Sequence, residues 1–295
     1  LDEYKQKIGG ELTGELADLE KEIANLTDSV QKEYTVEDAK EWFDFNLTSE
    51  GFKGDSWGME EDLVWVYDST RNEVVELNLK TKASKVVANS SQVQSGEQVG
   101  IAGKRGFVVD NKTKRITVLE EKEKIEELNG QEWGAVKETV GFGGNLYLLD
   151  GVAGGQIWKY VGIDAGLSAK SEYLKAEGLD LSSAVSMAID GSVWVLFSDG
   201  SIAKYVRGVK DAFAVAGLDE ALVEPVKIFT SPEVENIYVA DRKKTRIVVI
   251  GKNGEYQSQY VWGGVAGLKD LAVSEKEGKI FVLTGEKVFA IDIKN

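Results

Sequence analysis

The sequence predicts an all-β protein, a six-bladed β-propeller, preceded by an N-terminal amphipathic, coiled-coil-like helix. Two observations predict the propeller. From residue 36 onward, short apolar or alternating runs are separated by clusters of Gly, Asn, Asp and Ser, which is the pattern of strands and turns. One strand motif also recurs six times at intervals of 40 to 47 residues, which is the length of a propeller blade with several strands.

The recurring motif is an apolar strand built around an aromatic residue, and it often ends in Asp. Its six copies occupy residues 64–68, 106–110, 146–150, 193–197, 237–241 and 280–284. Their aromatic anchors are Trp65, Phe107, Tyr147, Trp194, Tyr238 and Phe281. A second alternating run follows each copy, and a further run follows most of them, for instance at 84–88 and 257–261. Each repeat therefore predicts one blade of several strands.

The two ends of the repeat array predict how the propeller closes. The sixth repeat ends with the chain, directly after the run at 287–291, so it lacks an outer strand of its own. Residues 42–47, just before the first copy, form a strand-like run that belongs to no repeat. An open arc of blades would leave an exposed strand edge. We therefore expect a propeller over residues 36–295 whose last blade is closed by this N-terminal strand.

Residues 1–34 carry a helical pattern instead. Apolar residues recur there at alternating intervals of four and three, which is the spacing of a coiled-coil seam. These residues are Leu12, Leu16, Leu19, Ile23, Leu26 and Val30. Two interpretations stay open: a stalk or oligomerisation helix, or a helix packed on the neighbouring domain. The first would give a weak homo-oligomer through residues 12–30.

Composition excludes several classes of site. The chain has 295 residues and a formal net charge of −15, with no His and no Cys. It therefore offers no Ser-His-Asp triad, no His-ligated metal, no thiolate nucleophile and no disulfide. The acidic balance argues against a nucleic-acid partner, which needs a basic face. No apolar run approaches the roughly 20 residues of a transmembrane helix. Because the chain begins at Leu1, we expect a piece of a longer protein, whose membrane anchor, if it has one, lies upstream.

The fifth copy resembles an NHL repeat. In that family a strand ends in Ala-Asp, an Asn follows three residues later, and Arg-Ile opens the next strand. Asp241, Arg246 and Ile247 match this pattern, while Lys244 stands at the Asn position. The second copy keeps Asp110, Arg115 and Ile116 and has Thr113 at the Asn position. The resemblance implies a six-bladed propeller of the NHL, YWTD, TolB-like and SMP-30-like group. That group contains protein- and RNA-binding modules, sensor domains, hydrolases and lyases.

The innermost strand of each blade is expected to line the central channel, upstream of each aromatic anchor. Aligning these strands places a polar residue at one equivalent position in every blade. The six residues are Ser56, Gln98, Thr139, Ser186, Lys227 and Asp270. One interpretation is a channel mouth that binds a small molecule, an ion or a peptide terminus. The other is a water-filled channel with satisfied polar walls, in which Lys227 and Asp270 pair with each other.

Two further sets of residues suggest roles outside the channel. The Asp residues that close the repeated strands are expected to accept hydrogen bonds from backbone N–H groups of the turns, rather than to form a calcium site. These residues are Asp68, Asp110, Asp150 and Asp241. Trp57, Trp133 and Trp262 lie near the loops that precede inner strands. Exposed tryptophan rings in such loops would suit a protein or glycan contact.

We expect a non-catalytic binding module without catalytic residues or a resident cofactor. It would be the sensor or partner-binding propeller of a larger, membrane-anchored bacterial protein that binds a protein or a small molecule. An extracytoplasmic or cell-surface location is expected, with a cytoplasmic one as the other option. The alternative is a metal-dependent hydrolase or lyase of the SMP-30-like type. It would hold calcium or another divalent ion at Asp270 with Asp55, Glu97 and Glu138, the acids that precede channel positions.

The first prediction concerns the N-terminal seam. Sedimentation of the chain at high concentration should reveal weak self-association, because burying Leu and Ile side chains contributes about 1.5–3 kcal/mol each and association costs offset much of it. Leu19→Asp should abolish this self-association. A monomer that Leu19→Asp leaves unchanged would support the packed-helix interpretation instead.

Overall fold

A computed structural model describes residues 32–120, 123–164, 166–176 and 179–294. The predicted helix seam at residues 12–30 lies outside the described residues. The end of the 1–34 segment differs from the helical expectation, because Glu33–Thr35 form a strand, β1. A second strand, β2 (Lys40–Asp44), follows, and a 3-10 turn over Phe45–Leu47 comes directly after it. No helix within the described ranges has the length and hydropathy that a bilayer crossing requires.

The rest of the described chain confirms an all-β, six-bladed propeller. The strands of the first three blades follow in chain order. Blade 1 contains β3 (Ser56–Glu60), β4 (Leu63–Asp68), β5 (Glu73–Asn78) and β6 (Ser84–Ala88). Blade 2 contains β7 (Gln98–Ala102), β8 (Arg105–Asp110), β9 (Arg115–Glu120) and β10 (Glu123–Leu128). Blade 3 contains β11 (Val136–Phe142), β12 (Asn145–Asp150), β13 (Ile157–Tyr160), an inserted hairpin of β14 (Gly162–Ile163) and β15 (Gly166–Leu167), and β16 (Ser171–Glu172).

The last three blades follow the same plan. Blade 4 contains β17 (Ala184–Ile189), β18 (Val193–Phe197), β19 (Ile202–Val206) and β20 (Val209–Asp211). Blade 5 contains β21 (Pro225–Phe229), β22 (Asn236–Asp241), β23 (Arg246–Gly251) and β24 (Tyr256–Val261). A 3-10 turn over Gly263–Gly267 leads to blade 6, which contains β25 (Asp270–Ser274), β26 (Lys279–Leu283) and β27 (Lys287–Asp292).

The core lies between neighbouring blades. Each predicted aromatic anchor is on the second strand of its blade and is buried. These strands are rich in Val, Ile, Leu and aromatic residues because both of their faces are covered by adjacent sheets. Trp65, for example, packs in a cluster with Val99 and Ile101 of the next blade. Each sequence repeat therefore supplies one buried aromatic residue to the core between its blade and a neighbouring one.

Strand β2 supplies the outer strand of blade 6. It pairs antiparallel with β27, with Lys40 opposite Ala290. The pairing covers residues 40–44, so the strand begins and ends earlier than the predicted 42–47, and residues 45–47 turn away in the 3-10 segment. The Trp42 indole donates to the Leu79 carbonyl oxygen at 2.9 Å, which joins this strand to blade 1. Phe43 and Phe45 are buried between the first and last blades.

Strand β1 adds a fifth strand to blade 5, which the repeat pattern did not predict. It pairs parallel with β24, with Glu33 opposite Gln259. Val36 N donates to the Val261 carbonyl oxygen at 2.9 Å. The segment before the first blade therefore contacts two consecutive blades, and it covers the outer edge of each.

The four strand-closing Asp residues have the predicted structural role. Asp68 accepts hydrogen bonds from Lys53 N at 2.8 Å and from Thr70 N at 2.9 Å, so it joins the entry loop of blade 1 to the turn after β4. Asp110, Asp150 and Asp241 likewise accept bonds from their own turns or entry loops. They lie in four different blades and form no common site.

The second prediction tests closure of the propeller. Phe45→Ala should lower the free energy of unfolding by about 3–5 kcal/mol, because Phe45 is fully buried between blades 6 and 1 and its removal leaves a cavity. Leu47→Ala is the matched control, since Leu47 is 82% exposed in the same turn and should change stability by no more than about 0.5 kcal/mol. Chemical denaturation measures both. Equal stabilities would contradict packing of this segment against the core.

Candidate binding cavity

The innermost strands converge at the propeller axis. Of the six predicted polar residues, Thr139, Lys227 and Asp270 line the central cavity described below, while Ser56, Gln98 and Ser186 bond to neighbouring blades outside its wall. Ser56, Gln98, Ser186, Lys227 and Asp270 lie at the same register, each opposite the residue two positions after its anchor. In blade 3 that register belongs to Glu138, opposite Leu149, and not to Thr139. The two-residue turn of the β11–β12 hairpin sets this register, because Phe142 pairs with Asn145 and the pairing runs without interruption to Glu138. Thr139 lies one residue after the shared register, opposite Leu148, and it belongs to the wall of the cavity described below.

Neutral hydrogen bonds connect part of this ring. Ser56 Oγ accepts from Val99 N at 3.1 Å, which links blades 1 and 2. Thr139 Oγ1 donates to Gln98 Oε1 at 2.8 Å, which links blades 2 and 3. Ser186 Oγ accepts from Ile228 N at 3.2 Å, which links blades 4 and 5. These polar side chains therefore hold neighbouring blades in register.

A buried ion triad completes the ring. Lys227 Nζ lies 2.7 Å from Asp270 Oδ1 and 2.9 Å from Glu138 Oε2. Ser186 Oγ donates to Glu138 at 2.7 Å, and Asp270 Oδ2 accepts from Trp57 N at 3.0 Å. The Lys227–Asp270 contact was predicted, whereas the contact from blade 5 to Glu138 in blade 3 depends on how the strands converge. The triad thus joins blades 3, 5 and 6 across the axis, and its hydrogen bonds to Ser186 and Trp57 extend the contact to blades 4 and 1.

Burial and charge together set the protonation of the triad. Burial raises the pKa of Asp270 to about 6, against the opposing effect of the Lys227 ammonium, and the Glu138 carboxylate adds to the increase. Burial alone would lower the pKa of Lys227, but Asp270 and Glu138 outweigh it and hold that pKa above its ordinary value. Ionisation of Asp270 as pH rises through about 6 therefore adds one negative charge to the triad.

The triad lies in the wall of a central cavity of about 520 Å³. Apolar side chains line much of the cavity, among them Met59, Val140, Met187, Phe229 and Leu271. Among the described residues, those that line it come from five blades. Blade 2 is displaced from the cavity because the inner strands of blades 1, 2 and 3 approach closely through glycines. A Cβ on Gly58 would lie 2.7 Å from Gly100 Cα, and one on Gly141 would lie 1.8 Å from the Ile101 carbonyl oxygen.

Acidic residues surround the cavity. Seven acidic and two basic side chains line it, a formal excess of five negative charges. Three of the acids, Glu61, Asp62 and Glu233, lie in turns between first and second strands, at one end of the cavity. Glu275, on the same side, accepts bonds from Asn236 Nδ2 at 2.8 Å and from the Tyr238 hydroxyl at 3.0 Å. The cavity therefore combines an apolar wall with a negative potential.

The tryptophans proposed as partner contacts lie elsewhere than expected. Trp57 is 4% and Trp133 is 7% exposed, so both rings belong to the core. The Trp57 indole donates to the Leu271 carbonyl oxygen at 3.3 Å. Trp262 is half-buried and its ring lies 5.2 Å from that of Phe289. These contacts differ from the expectation of exposed rings, because Trp57 lies on the inner strand β3 and Trp133 packs in the core cluster that contains Phe107 and Tyr160.

The acids considered for calcium do not meet at one point. In the part of the chain that the structure describes, no three acidic side chains form a group with the geometry of a metal site. Asp55 instead accepts hydrogen bonds from Ser69, and Glu97 accepts one from Asn111 at 2.8 Å. The Lys227 ammonium lies between the two remaining carboxylates, Glu138 and Asp270.

The third prediction concerns pH. A carboxyl group whose pKa is raised by folding stabilises the folded state below its unfolded pKa, near 3.8, and that contribution is lost as pH rises through the folded value, about 6. The contribution of Asp270 to the free energy of unfolding should therefore fall by roughly 2–3 kcal/mol between pH 4 and 6. Other titrating groups add their own pH dependence to this change. Asp270→Asn should remove this component, while the exposed control Asp38→Asn should keep it. Denaturant titrations at several pH values measure the difference, and identical pH profiles for all three proteins would contradict the prediction.

Comparison with known proteins supports the fold. No family model matches the chain, and no curated protein sequence matches it. A streptogramin B lyase structure is similar, with a TM-score of 0.58 and 14% identity, covering 87% of this chain and 98% of that one. The structure of U3-55K has a TM-score of 0.58 and 9% identity, covering 84% and 97%. A nidogen/laminin complex structure has a TM-score of 0.53 and 13% identity, covering 72% and 81%. At these identities the likeness establishes a shared propeller architecture, while the NHL assignment is not confirmed.

Proposed function

We propose that the chain is a non-catalytic binding module whose central cavity receives a cationic ligand with an apolar body. The observation that carries the proposal is the cavity of about 520 Å³, which combines apolar walls with five excess negative charges. Its volume lies within the range of about 300–1,000 Å³ that small-molecule sites occupy. An amine or guanidinium group, on a small molecule or on a partner protein, has the matching charge.

The charge distribution gives such a ligand an orientation. The apolar side chains would contact its body, while Asp62 and Glu233 attract its cationic group at one end of the cavity. The triad adds a further negative charge when Asp270 is ionised. The triad carboxylates already bond to Lys227, Ser186 and backbone N–H groups, so they would attract the ligand through their electric field only. Asp62 and Glu233 would contact its cationic group directly.

Neither Ser186 nor Lys227, the two groups at the triad that could serve as nucleophile or base, is activated in the described structure. Ser186 Oγ is fully buried, donates to Glu138 and accepts from Ile228 N. Lys227 remains protonated at neutral pH because its pKa is raised, so it does not act as a general base. This arrangement supports recognition in preference to turnover.

One similar solved structure is a nidogen/laminin complex, so propellers of this shape take part in protein complexes. The module would be the sensor or partner-binding part of a larger extracytoplasmic or cell-surface protein. The segment before the first blade, which covers the edges of blades 5 and 6, would connect it to that larger chain.

The fourth prediction tests the cavity with a simple probe. Phenethylammonium should bind at one site, and its affinity should increase severalfold as pH rises through about 6, because Asp270 then ionises. Phenylacetate, which has a similar body and the opposite charge, should not compete for this site. Isothermal titration calorimetry measures both ligands over a pH series. Absence of phenethylammonium binding, or binding that phenylacetate displaces, would contradict the proposed ligand class.

Matched variants assign the probe to the cavity. The double variant Asp62→Asn/Glu233→Gln should weaken phenethylammonium binding about fivefold, since it removes two of the negative charges that line the cavity. Glu37→Gln/Asp38→Asn removes two exposed charges before the propeller and should leave the affinity unchanged. Equal weakening in both proteins would mean that only net charge matters.

Calcium distinguishes the hydrolase or lyase alternative. Calorimetry should show no stoichiometric calcium binding, because the Lys227 ammonium lies within 3 Å of both Glu138 and Asp270, where a cation would be held. Tight calcium binding that Asp270→Asn abolishes would overturn the proposal in favour of a metal-dependent enzyme.

A further inference from the structure

We propose a second binding site, for an anionic ligand with an aromatic or apolar body, in a pocket between blades 3 and 4. This pocket has a volume of about 360 Å³. It opens on the face formed by the turns between first and second strands and between third and fourth strands. It is next to the central cavity, and Phe142 and Ile189 belong to the walls of both.

The floor of the second pocket is apolar and aromatic. Val193 lies in it beside Phe142 and Ile189, at the start of strand β18. Tyr147 and Tyr173 form an edge-to-face pair with ring centroids 5.7 Å apart. Such a floor accommodates a ring or a short apolar chain, and the two tyrosines add polar edges.

The charges around this floor have the opposite sign to those of the central cavity. Lys159, Lys175 and Arg207 line the pocket together with a single acid, Glu172. Within the described ranges, none of the three cations has an ion-pair partner. The Lys159 ammonium lies 5.4 Å from the centre of the Tyr147 ring, which holds it over the pocket. In a chain of net charge −15, three unpaired cations at one pocket form a local field suited to an anion.

The backbone positions two of these cations before any ligand binds. Arg207 has a φ of 52° and Gly208 a φ of 81°, so the tight turn between β19 and β20 adopts left-handed geometry. Gly208 is required there, because a Cβ would lie 2.0 Å from the Tyr173 carbonyl oxygen. Lys175 N donates to the Gly208 carbonyl oxygen at 3.0 Å. This contact holds the turn that carries Arg207 against the segment that carries Lys175.

The arrangement favours a carboxylate or phosphate head group on an aryl body. Arg207 can bind either oxyanion through two N–H groups, and the lysines add point charges. The ring of the ligand would contact Tyr147, Tyr173 and the apolar floor. Binding would also reduce the repulsion among the three cations.

The test uses phenyl phosphate and 3-phenylpropionate as probes. Each is titrated into ¹⁵N-labelled protein, and the amide shifts of Gly191 and Gly208 report occupancy of the pocket. We expect saturable binding of at least one probe, and the one that binds more tightly identifies the head group as phosphate or carboxylate. Absence of saturable shifts with both probes would overturn the proposal.

Substitutions separate this pocket from general charge effects. Lys175→Gln and Arg207→Asn should each weaken probe binding about fivefold or more, and Asn tolerates the left-handed backbone at position 207. Lys210→Gln is the matched control, because it removes the same charge from strand β20 but does not line the pocket. Probe binding that Lys175→Gln and Arg207→Asn leave unchanged would overturn the proposal.

The outcome is independent of the central cavity. Lys175→Gln and Arg207→Asn should leave phenethylammonium affinity unchanged, whereas Asp62→Asn/Glu233→Gln should not weaken the aryl anions. Loss of the ammonium site alone would therefore refute the proposed function and leave this site intact. Loss of the anion site alone would refute this second site and leave the proposed function intact.

Discussion

Pairing of β2 with β27 is the contact on which the remaining architecture depends. It gives blade 6 its outer strand, and it brings Phe43 and Phe45 into the interface with blade 1. Six sheets can surround one axis only when the first and last of them touch. The inner strands then converge, and every site described above lies on or beside that convergence. Covering this edge also removes a strand that could pair with another chain.

Convergence places charged groups where water is scarce. Asp270 is 2% exposed, and its carboxylate is compatible with that burial because Lys227, Trp57 N and Leu271 N all donate to it. Glu138 shares the same ammonium and accepts from Ser186. One ammonium cannot neutralise two carboxylates, so a negative charge remains at the axis when both are ionised. Burial above all, with the Glu138 carboxylate adding to it, raises the pKa of Asp270 to about 6. The same groups thus hold blades together and give the central cavity its sign.

The two cavities on one face have opposite polarity. The central one carries an excess of acids, and the pocket between blades 3 and 4 carries an excess of cations. Phe142 and Ile189 separate them and belong to the walls of both. This separation arises because inner-strand ends contribute to the central cavity, whereas outer-strand turns such as that at Arg207 contribute to the second pocket.

The sequence by itself determined the class of fold, the number of blades and the buried aromatic anchors. Period, alternation and turn residues are local properties, and each blade repeats them. Five of the six channel residues also followed from alignment, because hairpin register is set locally. The sixth position belongs to Glu138 for the same local reason, since the two-residue turn between Phe142 and Asn145 places Glu138 opposite Leu149. Only the tertiary structure decided the addition of β1 to blade 5, the burial of Trp57 and Trp133, and the grouping of Lys159, Lys175 and Arg207. Those features depend on how distant segments approach one another, and no periodic pattern in the chain encodes that approach.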